Sequence, residues 1–261
     1  MASRRACLAT SHTKLPIPRY SRPSSTATAA AALPADSFDP IDPPALEPMP
    51  FSALEGKISP ETLKAITVAP FNLKHMTPVQ EQVLSLLPAL AQPPTSPEDT
   101  RDLLVRAKTG TGKTLAFLVP AIEARIHDIQ QQAPDTQRIY ARETVGALII
   151  SPTRELATQI AAEALKLSTH HAGFQVNLFV GGNSKRDQMR KWRMNRRDIV
   201  VATPGRLRDL LASEPEISKG LKTAKMVCNR SSSDAFVFSP LFCSLFLMKS
   251  TPCWISGSER M

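Results

Sequence analysis

What most restricts the folding of this chain is a repeated alternation. Four short apolar runs, Asp102 to Ala107, Val145 to Ser151, Gln175 to Val180 and Asp198 to Ala202, each end in a turn of Gly, Pro or Thr. Longer amphipathic stretches follow, among them Leu115 to Gln131, Arg154 to Thr169 and Ser184 to Met194. Continuous apolar runs of this length suit strands buried on both faces. Strands alternating with helices predict an α/β fold, a parallel sheet covered by helices, with ligands at the carboxyl ends of the strands.

The first run leads into Ala107-Lys108-Thr109-Gly110-Thr111-Gly112-Lys113-Thr114 and then into a helix. The spacing matches the phosphate-loop pattern GxxxxGK[ST], with Ala107 in the first glycine position. Gly110 and Gly112 let successive N–H groups turn inward, so that with the helix N-terminus they surround phosphate oxygens. Lys113 is expected to reach the β and γ phosphates, and Thr114 to place its hydroxyl on Mg²⁺. These two are the candidate catalytic residues, and a nucleoside triphosphate is the implied ligand.

Composition bears on what else the chain meets. A net charge of +9 over 261 residues favours a polyanionic partner, because Lys and Arg displace counterions from a phosphate backbone. The cysteines, Cys7, Cys228, Cys243 and Cys253, form no CxxC pair and have no histidine at ligand spacing, so no structural zinc is expected. The longest apolar run, Ala235 to Met248, is short for a bilayer and contains Pro240, so no membrane span is expected. Oligomeric state is not readable from these features.

Residues 1–35 contain no acid, while Arg4, Arg5, Lys14, Arg19 and Arg22 are spread among Ser, Thr and Ala. This reads as a transit peptide, disordered and leading to the mitochondrial matrix, with a plastid as the alternative destination; a plain basic tail has the same composition. Residues 36–50 turn acidic and Pro-rich, as an extended linker does. The folded domain is expected over residues 51–226.

Several loops together resemble the DEAD-box ATP-dependent RNA helicases. AKTGTGKT with Leu115-Ala116-Phe117 is similar to their motif I. Upstream, Phe71 and Met76-Thr77-Pro78-Val79-Gln80 resemble the Q motif, with Phe51 as its isolated aromatic. The resemblance implies that the Gln80 carboxamide, with donor and acceptor side by side, selects adenine and hence ATP. Pro152-Thr153-Arg154-Glu155-Leu156-Ala157 is similar to motif Ia, Gly181-Gly182 to the GG motif, and Thr203-Pro204-Gly205-Arg206-Leu207 to motif Ib. In that family these loops hold the backbone of single-stranded RNA, a role that fits Arg154 and Arg206 as phosphate partners and the glycines as points of close approach.

The resemblance implies a RecA-like sheet with helices on both faces, ATP with Mg²⁺ as cofactor, and RNA bound without sequence preference and unwound or remodelled. Its flavour is that of the mitochondrial branch that assists intron splicing and RNA folding. A different phosphate-loop ATPase and a non-catalytic ATP- and RNA-binding fragment remain the alternatives. The segment Lys185 to Arg197 gathers seven Lys and Arg around Trp192, a further RNA face or simply a solvated helix edge.

After Met226 the family would continue into a strand ending in Asp-Glu-x-Asp. Here Val227-Cys228-Asn229-Arg230-Ser231 opens a Ser/Phe-rich tail without alternation. The carboxylates that hold Mg²⁺ and activate water are thus missing, and the second helicase domain with them. Val227-Cys228 can be spelled GTN-TGY, a 5′ splice signal, and Cys243-Ser244 can contain an acceptor TAG. Leu247 to Arg260, reread one base back, can give Asp-Glu-Val-Asp. Residues 227–261 are therefore expected to be an aberrant tail from a retained intron and frameshift, with a genuine divergent tail as the alternative, and the chain to be inactive.

Overall fold

The computed structural model describes residues 48–92, 103–229 and 235–239. The transit segment, most of the linker and the tail beyond residue 239 lie outside the described residues. In chain order the helices are α1 (Pro60–Thr67), α2 (Pro78–Leu84), α3 (Lys113–Gln130), α4 (Pro134–Glu143), α5 (Arg154–Leu167), α6 (Lys185–Met194), α7 (Pro204–Ser213) and α8 (Pro215–Leu221). The strands are β1 (Leu103–Arg106), β2 (Ala147–Ile150), β3 (Val176–Phe179), β4 (Ile199–Ala202), β5 (Met226–Asn229) and β6 (Ala235–Ser239).

The sheet has the order β1-β6-β5-β2-β4-β3. Strands β5, β2, β4 and β3 pair in parallel, as the apolar runs predict. Strand β6 departs from that pattern, pairing antiparallel with both β5 and β1. Two antiparallel pairings leave β1 pointing the same way as β2 to β5, so the turns after these strands share one edge.

The period of two along a strand divides the core. Ala147, Ile149, Ile199, Val201, Met226 and Cys228 face one cluster with Phe117, Ile122 and Ile160 of α3 and α5. Leu148, Ile150, Val200, Ala202 and Val227 face the other, with Trp192, Leu207, Leu210, Ile217 and Leu221 of α6 to α8. Helices therefore cover both faces.

Two boundaries differ from the sequence reading. The expected break after Met226 falls inside β5, because Val227 and Cys228 are buried and continue the alternation that packs both faces. The stretch read as having no strand pattern contains β6, which needs only its backbone groups to bridge β5 and β1.

Arg125 ties the phosphate-loop helix to the sheet. Its Nε donates to Asp198 Oδ1 at 3.0 Å, and its two terminal nitrogens reach Asp128, Thr144 and the Ala141 carbonyl. Both side chains of the Arg125–Asp198 pair are fully buried. Gln175 N and Arg196 also donate to Asp198, so the carboxylate is satisfied on both oxygens.

Candidate nucleotide and nucleic-acid site

The phosphate loop runs from the end of β1 to the start of α3. Gly110 and Gly112 have φ of +81° and +76°, a region that an L side chain rarely occupies. Gly112 is the N-cap of α3, and no side chain caps this helix or places a carboxylate in its first turn. The positive end of an 18-residue helix thus opens at the loop with no carboxylate against it, an arrangement that favours an anion. By contrast α5 and α6 are capped by the hydroxyls of Thr153 and Ser184.

Lys113 is 4% exposed, and its ammonium donates to the carbonyls of Ala107 and Lys108. Thr111 Oγ1 donates to Lys108 O at 2.8 Å, tightening the same turn. Lys108, Thr109 and Gly110 are exposed, while Ala107, Thr111, Gly112 and Thr114 are partly buried. The loop is thus folded around the lysine that the sequence reading assigned to phosphate.

The Q-motif residues reach this loop. Thr77 Oγ1 donates to Thr111 O at 2.8 Å, and Gln80 Nε2 donates to Gly112 O at 3.1 Å. Gln80 Oε1 accepts from Thr77 N at 2.9 Å, closing a capping box at the start of α2. Each end of the Gln80 carboxamide has one intramolecular partner, which leaves one N–H and one lone pair. A Cβ at Gly112 would come within 2.4 Å of Gln80 Nε2, so glycine is needed there for contact as well as for φ.

The aromatic assignments separate. Phe71 is partly buried at the margin of the core. Phe51, read as the isolated aromatic of the Q motif and so among the cofactor-binding residues, is 0% exposed, and its N–H is bonded to Lys74 O. It fills the core beneath α1 and presents no face to a ligand, so that expectation is corrected.

The loops after β2, β3 and β4 meet in one shallow groove of about 550 Å³. Pro152, Thr153, Arg154 and Glu155 form one side, Gly181 and Gly182 the next, and Thr203, Gly205 and Arg206 the third. Of the residues read as RNA-binding, Pro204 is the one outside the lining, and it is the first residue of α7. Arg154 lies over Gly182, where an added Cβ would meet Nη1 at 2.7 Å, and donates to Gly181 O at 3.5 Å. Arg206 donates to Asn183 O at 3.1 Å and Gln188 Oε1 at 3.2 Å, while Gln188 donates to Val180 O at 2.9 Å.

Thr77's bond to the loop, Gln188 under Arg206, and Asp209 in the groove were not assigned from the sequence. The Thr77-x-x-Gln80 spacing carried a readable capping signal; the other two carried none. Trp192, central to the basic segment, is buried, and Arg197 stacks 4.2 Å above its ring. Burial lowers the pKa of that guanidinium from its usual value. Among the described residues no group of His, Cys, Asp and Glu could hold a metal, and no helix is long and apolar enough to cross a membrane.

Residues 77–228 match the DEAD/DEAH box helicase family. The chain is 40% identical over 170 residues to DEAD-box ATP-dependent RNA helicase 25 of Oryza sativa subsp. japonica, covering 65% of this chain and 26% of that protein. It is also 40% identical over 161 residues to the mitochondrial ATP-dependent RNA helicase mss116 of Aspergillus fumigatus, covering 61% and 23%. The solved structure of Mss116p bound to ssRNA and AMP-PNP aligns with a TM-score of 0.55 at 34% identity, over 69% of this chain and 32% of that one. The chain spans about a quarter of the length of these curated relatives. With the loops of motifs I, Ia, GG and Ib gathered at one edge of a sheet clad by helices on both faces, this chain belongs to the DEAD/DEAH box helicase family.

Proposed function

We propose that this chain carries the first, ATP- and RNA-binding domain of a DEAD-box RNA helicase acting in mitochondria. The observation that carries this reading is a shared edge: the phosphate loop after β1 and the groove after β2, β3 and β4 lie at the carboxyl ends of strands running in one direction. A triphosphate entering the loop would draw the Lys113 ammonium from the Ala107 and Lys108 carbonyls and meet the positive end of α3. The residual N–H and lone pair of Gln80 would meet the adenine edge. Bound Mg²⁺ would neutralise phosphate charge, and Thr114, in the first turn of α3, is the residue that would hold it.

Arg154 and Arg206 would take RNA phosphates in the groove, a contact that reads backbone and not base. In the complete enzyme, ATP would close a second domain over the RNA and break a short duplex locally. For this chain we infer binding without turnover, because β5 delivers Asn229 where the family carries its acidic motif, and a carboxamide is no general base. The acid-free residues 1–35 and the mitochondrial relative support the location.

Nucleotide binding by fluorescence titration, run beside an unwinding assay on a short RNA duplex, tests this. The chain should bind ATP, Lys113→Ala should lose that binding, and neither should unwind. Wild-type nucleotide affinity in Lys113→Ala would overturn the site, and ATP-driven unwinding by the chain would overturn the inference of inactivity.

A further inference from the structure

The outer face of α6 carries charges that its packing does not require. Gln188, Met189 and Trp192 hold the helix to the molecule, while Lys185, Arg186, Arg190, Lys191 and Arg193 share it with one acid, Asp187. Arg186 and Arg190 are four residues apart, where like charges weaken a helix.

The cations of this segment divide by partner. Arg196 is bound to Asp198 and Arg197 lies on Trp192, so both serve the fold. Arg193 forks onto Glu216 at 3.0 and 3.3 Å, and Lys185 meets Glu214 at 3.6 Å. Arg186 and Lys191 have no carboxylate partner among the described residues. Arg190 has only Asp187 at 3.4 Å, with both side chains more than half exposed. Such a pair is weak in water and readily exchanged for a phosphate.

Arg186, Arg190 and Arg193 border a groove of about 580 Å³ with Met189, Met194 and Glu214. Helix α7 connects it to the first groove. Gly205 and Arg206 at the start of α7 line the first, and Ser213 at its end bonds Lys185 of the second. The whole helix, ten residues, spans about 15 Å. Arg206 of the first groove also bonds Gln188 of α6, so it is tied to the helix that carries the second.

We propose that the α6 groove is a second phosphate-backbone site, which takes the part of the same RNA strand that runs past the loops of β2, β3 and β4. This rests on the RNA-binding reading above. Arg186 and Arg190 exchange counterions for phosphates there, and Met194, 68% exposed, offers a ribose an apolar surface. The site adds affinity with RNA length and no sequence preference.

Fluorescence anisotropy of the full chain tests this with two RNAs, one long enough only for the first groove and one about three times longer. The wild type should bind the longer RNA more tightly. The double variant Arg186→Gln/Arg190→Gln should bind the short RNA as before and lose the gain with length. Its salt slope on the long RNA should fall by about 1.4, the loss for two single-strand phosphate contacts. An unchanged slope and an unchanged gain overturn the proposal and leave the face to an acidic protein partner. Arg154→Ala is the reference: if it weakens short-RNA binding while the double variant changes nothing, this inference alone fails. If Arg154→Ala also has no effect, the RNA reading itself fails.

Discussion

The groove proposed for RNA and the loop proposed for phosphate share an edge of the sheet but stand on different foundations. Strands β2 and β4 are buried along their whole length, whereas β1 alternates between partly buried and exposed residues and Leu104 is 59% exposed. Backbone bonds fix the strand ends beneath the groove, with Ser151 N donating to Ala202 O and Thr203 N to Phe179 O, both at 2.9 Å, while Arg154, Arg206 and Gln188 add side-chain bonds to the turn after β3. Side chains hold the phosphate loop: Thr77 and Gln80 from outside, Lys113 and Thr111 from within. A groove built by the sheet ladder is preformed. A loop closed by side-chain bonds can exchange those bonds for a ligand, and so is the part where binding changes shape.

The largest test strikes the frame beneath both regions. Asp198→Ala leaves the buried Arg125 with Asp128, at 3.4 Å, as its remaining carboxylate and should cost about 3–5 kcal/mol in urea denaturation. Nucleotide and RNA binding should fall together; a change under about 1 kcal/mol would mean that the two regions do not depend on this pair.

Gln80→Ala separates them. It strands the Thr77 N–H and leaves the Gly112 carbonyl with Ala116 N as its partner, and nucleotide affinity should fall about tenfold while RNA affinity without nucleotide stays constant. Equal losses in both titrations would erase the contrast drawn between loop and groove. The converse is Arg206→Ala, which should reduce the salt slope of RNA binding by about 0.7 and leave nucleotide affinity alone.

The smallest effect concerns the joint of α1 with the residues after α5. His171 Nε2 bonds Thr62 Oγ1 at 2.9 Å, and burial lowers the histidine pKa against opposing carboxylates Glu123 and Glu61. A pKa below its unfolded value means that the unfolded chain binds the proton more readily, so stability rises with pH across that interval and is complete above about 6.5. Thermal midpoints should therefore decline as pH drops below that value, and His171→Gln should flatten the decline. A wild type insensitive to pH in this range would exclude the linkage.

The phosphate loop was legible because its geometry is local. Gly110 and Gly112 adopt left-handed backbone, and Lys113 and Thr114 open the helix, all within neighbouring residues. The motif loops read as RNA-binding were legible as a set, since strands running one way bring their ends together. Phe51 was misread because spacing along the chain does not say which face of an aromatic the core will cover; here it covers all of it. Trp192 likewise turned from the centre of a basic surface into an anchor under α6.

By itself the sequence determined the alternation of strands and helices, the turns that end each strand, and the loop fit for phosphate, because these depend on backbone preferences and on periods of two and 3.6 residues. Only the tertiary structure decided the partners. Gln80 meets Gly112 across 32 positions, and Arg125 meets Asp198 across 73. Hydrogen-bonding and charged side chains are alike in what they can bind, so the choice among many possible partners is made by the packing that places two of them within 3 Å.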